Sequence, residues 1–149
     1  MIFKIADCEE ELDHYFAIRH SVFVIEQGMF TESDRDEHDR NAIHLIAKDS
    51  GTGQVIGAVR CYPNGDGSWY GGRLAVIKDH RHGATGIGLV RKAVSLMAKQ
   101  GCPRFLAHIQ MQNVPYFLRL GWQTIGPPED YHGLPHQLME ANLNGGRMS

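Results

Sequence analysis

The sequence predicts an α/β fold of the α+β kind, a mostly antiparallel central sheet flanked by helices in the order β-α-β-β-β-α-β-α-β-β. Three observations carry this. Apolar residues recur at helical spacing around Leu12–Phe23 and again around Leu89–Ala98. Short β-branched and aromatic runs bounded by Gly, Asn and Asp lie between and after them. The chain has 149 residues, 42% of them hydrophobic, which is the size of one ordinary domain. We therefore expect residues 1–149 to form a single domain with a short frayed tail at 144–149.

Residues 2–6 read as a strand, after which Asp7 can serve as N-cap with Glu10 completing a capping box. Leu12, Phe16, Arg19 and Phe23 share a helical face with Tyr15, Ile18 and Val22, so a helix is expected over 9–24. Residues 28–41 are poor in apolar side chains and dense in charge, which predicts a solvated loop. Strands at 43–47 and 55–62 form a hairpin through the glycine-containing turn at 49–53. A turn at 64–67 then leads to residues 69–76, whose end Leu74-Ala75-Val76 is apolar enough for a central strand. Leu89, Val90, Ala93, Val94, Met97 and Ala98 mark a second helix that stops at Gln100-Gly101. Residues 105–109 read as a buried strand, 114–120 as a short helix ended by Gly121, and 122–125 as a strand. A last strand is expected at 138–143, after the Pro127-Pro128 break.

Composition excludes several function classes. With 15 Lys and Arg against 17 Asp and Glu, the formal charge of -2 offers no global pull toward nucleic acid or an acidic membrane. No apolar run approaches the ~20 residues of a membrane helix and the amino terminus lacks a signal pattern, so a cytoplasmic protein is expected. Cys8, Cys61 and Cys102 never form C-x-x-C and read as reduced thiols. His80 and His82 have zinc-like strand spacing but no carboxylate or cysteine to match, so no metal is expected.

The chemistry concentrates at Gly83-Ala84-Thr85-Gly86-Ile87-Gly88, a glycine-rich turn between a strand and a helix. The first N–H groups of a helix lack intrahelical acceptors, the dipole is positive there, and glycine admits a close approach, so this is an anion site. Leu89 and Val90 stand where a P-loop needs Lys and Ser or Thr, and the G-x-G-x-x-G order also fails. An NTPase and a Rossmann dinucleotide site are both excluded.

The segment from Arg73-Leu74-Ala75-Val76 to Gly88 resembles the acetyl-coenzyme A motif of the GNAT N-acetyltransferases, a strand ending in L-x-V followed by R/Q-x-x-G-x-G/A and a helix. The later block from Asn113 to Trp122 is similar to that family's Asn, helix, aromatic and Gly-Phe pattern. Arg19-His20-Ser21-Val22-Phe23, Asp34-Arg35-Asp36, His44, Arg60 and Gly133-Leu134-Pro135-His136 resemble the ElaA-like branch, and residues 34–39, 69–74 and 135–143 look nearer still to N-acetyltransferases associated with bacterial nitrogen starvation.

The resemblance implies a GNAT-like mixed sheet and direct acetyl transfer from acetyl-CoA to a primary amine, of a small molecule as we read it. Leu74, Ala75 and Val76 would hold the thioester, and Arg81, His82 and Gly83 to Gly88 the pyrophosphate, with Asn113 and Phe117 completing the coenzyme site. Two positions depart from the pattern. Phe117 stands where the family's Tyr is usual, with Tyr116 one residue earlier, and Gly83 stands at the R/Q position, with Arg81 two residues earlier.

The resemblance further suggests Glu26, His108 and Tyr116 for proton transfer and Arg19, Phe23 and His136 for the acceptor, and it leaves a homodimer open. Each has a plainer reading. Glu26 could pair with Arg19 or Arg60, His108 could face the core, and His136 could cap a strand pair. Asp34, Asp36 and Glu37 could attract an amine or simply be solvated. Two other functions fit some residues: a coenzyme-A-binding module without transfer, suggested by Phe117, and an autoinducer synthase, suggested by Arg19, Val22, Phe23 and Glu26.

Overall fold

The computed structural model describes residues 1–144; of the tail expected at 144–149, residues 145–149 lie outside the described residues. The elements are β1 (Ile2–Ile5), α1 (Glu9–His20), β2 (Ile43–Lys48), β3 (Val55–Pro63), β4 (Trp69–Val76), α2 (Thr85–Lys99), β5 (Phe105–Gln110), α3 (Val114–Arg119), β6 (Gln123–Thr124), β7 (Glu129–Tyr131) and β8 (Leu134–Glu140). They build one 8-stranded sheet in the order β1-β2-β3-β4-β5-β8-β6, with β7 paired on β8. Every pairing is antiparallel except β4 with β5. The mixed, mostly antiparallel sheet is thus the expected architecture.

Strand alternation, shifted on β3 by a bulge at Ile56, sorts the core into two clusters. Leu45, Ala47, Ile56 and Val59 pack with the α2 stripe of Leu89, Val90, Ala93 and Met97, while Ile46, Ala58 and Ala75 pack with Tyr15, Ile18, Val22 and Phe23 from α1 and the turn after it. Gly88 carries its own share of this packing. A Cβ there would overlap the Phe3 ring of β1, so the absent side chain lets α2 close on the sheet edge.

Local signals missed in four places. The α1 N-cap is Cys8, with no side-chain cap, and the Asp7 N–H donates instead to Glu11 Oε1 at 3.0 Å. The helix expected over 9–24 ends at His20 and widens into a π-helical turn over Ser21–Glu26, where the Gln27 N–H reaches the Val22 carbonyl at 3.0 Å. The last strand is β8, beginning four residues before the expected 138, and β7 was not anticipated. His132 and Gly133, at φ +51° and +83°, form the two-residue turn between β7 and β8, a placement that favours glycine at its second position.

The fourth miss is the charged segment. Residues 28–41 are solvated only in part, because Asp34, Asp36 and Asp39 fold back onto buried arginines while Glu32, Arg35 and Glu37 stay exposed. Arg19, with no exposed surface, donates from Nε to Asp34 Oδ2 and from Nη1 to Asp39 Oδ1, both at 2.7 Å. Arg60 forks onto Asp36 at 2.6 and 3.0 Å, and Arg73 Nε reaches the Asp34 carbonyl at 3.1 Å. Buried charges persist only when paired, and the aspartates of one loop neutralise guanidinium groups from α1, β3 and β4. The Asp39 carboxyl is pushed up by burial, but the Arg19 hydrogen bonds outweigh this and hold it well below its usual range.

Candidate active site

β4 and β5 run parallel but pair only from Trp69 to Gly71 against Phe105 to Ala107. Beyond that point no β4–β5 pairing continues, and the space between them is a cavity lined by residues of both strands, including Gly72, Arg73, Leu74, His108, Ile109 and Gln110. A bulge helps to part them. Arg73 and Leu74 together lie opposite Val59 of β3, and Arg73 sits at φ +54°, which re-aims β4 at the opening.

The cavity reaches α2 at Val90 and Ala93, one to two turns beyond the start of that helix. The Gly88 N–H donates to the Ala84 carbonyl at 2.9 Å as the first bond of the helix, and the Gly83 N–H reaches the His80 carbonyl. The N–H groups of Ala84, Thr85, Gly86 and Ile87 have no acceptor among the described residues, no side chain caps the helix, and its first turn holds no acidic residue. Four free amides at the positive end of a 15-residue helix can hold an anion. Tyr116 of α3 stands beside them, its hydroxyl 3.8 Å from where a Gly86 Cβ would lie, with burial raising the phenol.

Several coenzyme candidates are spent elsewhere. Gly83 and Gly88 have used their N–H groups, and Gly88 packs on Phe3. Arg81 donates from Nε to the Val76 carbonyl at 2.9 Å and pairs with Glu26 at 2.7 Å, so it adds no free charge to the turn. His82 is exposed. Thr85 is fully buried, its hydroxyl against Met1 Sδ. Ala75 and Val76 are buried on opposite sheet faces, whereas Leu74, Asn113 and Phe117 line the cavity.

The residues expected at the acceptor are also sorted by the fold. Phe23, His108 and His136 line the cavity, and the His136 Nδ1–H donates to the Leu134 carbonyl at 2.9 Å. Arg19 does not line it; it is the buried centre of the aspartate cluster, because α1 turns that residue inward. Glu26 pairs with neither Arg19 nor Arg60 but with Arg81, and is absent from the lining. Asp34 and Asp36 answer arginines rather than an amine. Burial lowers the His108 imidazole, with His136 adding to the effect, so the ring is neutral near pH 7 and able to accept a proton.

Sequence reasoning missed Tyr62, Arg73 and Tyr131, all of which line the cavity. Tyr131 had a readable signal in the His132-Gly133 hairpin turn. Arg73 had none, since a left-handed arginine in a bulge is set by pairing across the sheet.

The family model described as Acetyltransferase (GNAT) family matches residues 6–122. The chain belongs to the GNAT acetyltransferase family. This GNAT protein is 32% identical over 137 residues to an uncharacterized N-acetyltransferase of Bacillus subtilis (strain 168), YjcF, covering 91% of the chain and 95% of that protein. Its fold matches Escherichia coli ElaA with a TM-score of 0.83 at 17% identity, covering 95% of the chain and 99% of that chain. The CoA-dependent acyl-homoserine lactone synthase BjaI, solved with SAM and isopentyl-CoA, superposes with a TM-score of 0.74 at 20% identity, covering 89% and 75%. At those identities the two structures speak to fold alone. As a GNAT member the chain is an acyltransferase, and among the described residues no helix is long and apolar enough to cross a membrane.

Proposed function

We propose that this GNAT protein is a single-domain N-acetyltransferase that moves an acetyl group from acetyl-CoA directly to a primary amine of a small molecule. The observation that carries the proposal is the unanswered amide row of Ala84 to Ile87, which lies beside Tyr116, whose ring packs edge-on against the cavity-lining Phe117. Acetyl-CoA would supply the acetyl group as a thioester and bring the phosphates such a row accepts. The β4 backbone at Leu74 would hold the carbonyl oxygen as negative charge develops. Asn113 and Phe117 would flank the chain of the coenzyme, and His108 would take the proton of the attacking amine. Tyr116, near the amide row, would serve the anion end or protonate sulfur.

The resemblances around Arg19, Arg60 and His136 favour the ElaA-like branch, with the nitrogen-starvation group as the finer assignment. Calorimetry with coenzyme A, followed by thiol release from acetyl-CoA across an amine panel, tests the proposal. Binding that Gly86→Val weakens, together with turnover, is the expected result. Tight binding without turnover on any amine would instead make the chain a coenzyme-binding module, and absence of binding would sink the coenzyme assignment itself.

A further inference from the structure

A row of aromatic rings crosses the acceptor end of the cavity. His38 stacks on Tyr62 at 4.1 Å between centroids, Tyr62 on Tyr70 at 6.0 Å, Tyr70 on His108 at 5.7 Å, and His108 on Tyr131 at 5.1 Å and 8°. The sheet makes this row: Tyr62 and Tyr70 are direct cross-strand partners, and His108 lies two residues beyond Leu106, the partner of Tyr70. Tyr62, His108 and Tyr131 of the row line the cavity. His108 is covered on both faces by its neighbours, so what it offers the cavity is ring edge.

Ring edges carry the positive side of the aromatic quadrupole, which attracts the face of another aromatic ring and repels a cation. The lining supplies no negative charge of its own. Arg60 and Arg73 are answered by Asp36 and Asp34, and no Asp or Glu among the described residues lines the cavity. The one acidic side chain expected to act as base, Glu26, is paired with Arg81. An ammonium ion would enter with no counter-charge and no carboxylate to deprotonate it.

Resting on the acyl-transfer reading above, we infer that the acceptor is an uncharged aromatic amine, seated with its ring face against the edges of Tyr62, His108 and Tyr131. An amine attached to an aromatic ring is neutral at pH 7, so its lone pair is available without prior deprotonation. The nitrogen forms a bond to the acetyl carbon as the carbon–sulfur bond breaks. The electron pair leaves on sulfur, and the proton shed by nitrogen ends there, giving the amide and the coenzyme thiol with no other reactant.

The test compares 4-methoxyaniline, cyclohexylamine and spermidine as acceptors at pH 7, with ligand-detected NMR of 4-methoxyaniline binding to the protein as a readout independent of turnover. Acetylation of the aromatic amine with kcat/KM at least tenfold above both others, and saturable binding, is expected. Equal or better use of cyclohexylamine or spermidine overturns the inference while leaving acetyl transfer standing, and so does coenzyme binding without any acetylation of 4-methoxyaniline. Failure to bind coenzyme A overturns the underlying reading instead. Tyr62→Leu and Tyr131→Leu, checked for native melting, should each raise KM for 4-methoxyaniline about three- to tenfold with coenzyme affinity held. Unchanged KM in both folded variants counts against the edge contacts.

Discussion

Arg19→Met removes the guanidinium that the fold buries most deeply and leaves two carboxylates to be accounted for. Arg19 makes five hydrogen bonds, two with Asp34, two with Asp39 and one with the Tyr15 hydroxyl. Breaking a buried ion pair by deleting one partner costs roughly 3–5 kcal/mol, since the remaining charge stays desolvated. Here part of the loss is recovered, because Arg73 lies 3.4 Å from Asp34 and Arg60 lies 3.1 Å from Asp39. The low end, about 3 kcal/mol, is therefore expected, and for 149 residues it lowers Tm by about 10 °C.

The pH dependence gives a second reading of the same perturbation. Asp39 is held below its ordinary 3.8, with the hydrogen bonds from Arg19 overcoming the upward push of burial. A depressed carboxyl contributes stability above its unfolded pKa and loses it as pH falls through the folded one. The deficit of Arg19→Met should be full at pH 7 and shrink below about pH 4. Urea and thermal melts of both proteins from pH 3 to 7 measure it. A deficit under about 1 kcal/mol at pH 7, or one that grows on acidification, would refute the assignment of Arg19 to the aspartate cluster.

Three other perturbations have expected outcomes. Gly88→Ala should cost about 1–2 kcal/mol despite the better helix propensity of alanine, because Phe3 must leave its packing; chemical denaturation of Gly88→Ala with and without Phe3→Ala checks it, the double variant losing less than the sum of the singles. Glu11 accepts the Asp7 N–H and a hydrogen bond from Lys4, which lower its carboxyl to about 2 from 4.5, so the stability gap between the native protein and Glu11→Gln should be complete at pH 6 and close as pH drops from 4.5 toward 2 in acid melts. Burial pushes the Cys61 thiol up to about 12, whereas Cys8 is exposed, so a thiol reagent at pH 8 should label Cys8 rapidly and Cys61 only after denaturant is added, as peptide mass mapping would show.

Much of the fold is legible because its signals are local. The apolar stripe of α2, the glycine turn before it and the alternating faces of β2 can be read within a few residues of each other. The strand β7 was lost because three residues, Glu129 to Tyr131, hold too little pattern to outweigh the prolines before them. In the site, the glycine turn was legible as the opening of a helix, yet which of its N–H groups stay free depended on where the helix begins. Arg81 and Glu26 were each readable as a functional charge; their mutual pairing across 55 residues was not.

The sequence by itself determined the order of elements as far as β6, the family pattern from Arg73 to Gly88 and the place where a glycine turn opens the second helix, since backbone geometry and apolar periodicity act over short spans. Tertiary structure alone decided which charges are spent. The acidic run after the first helix became the counter-charge of Arg19, Arg60 and Arg73, and His108 became one rung of an aromatic row, because burial makes a charge choose its partner and strand pairing chooses the neighbours of a ring.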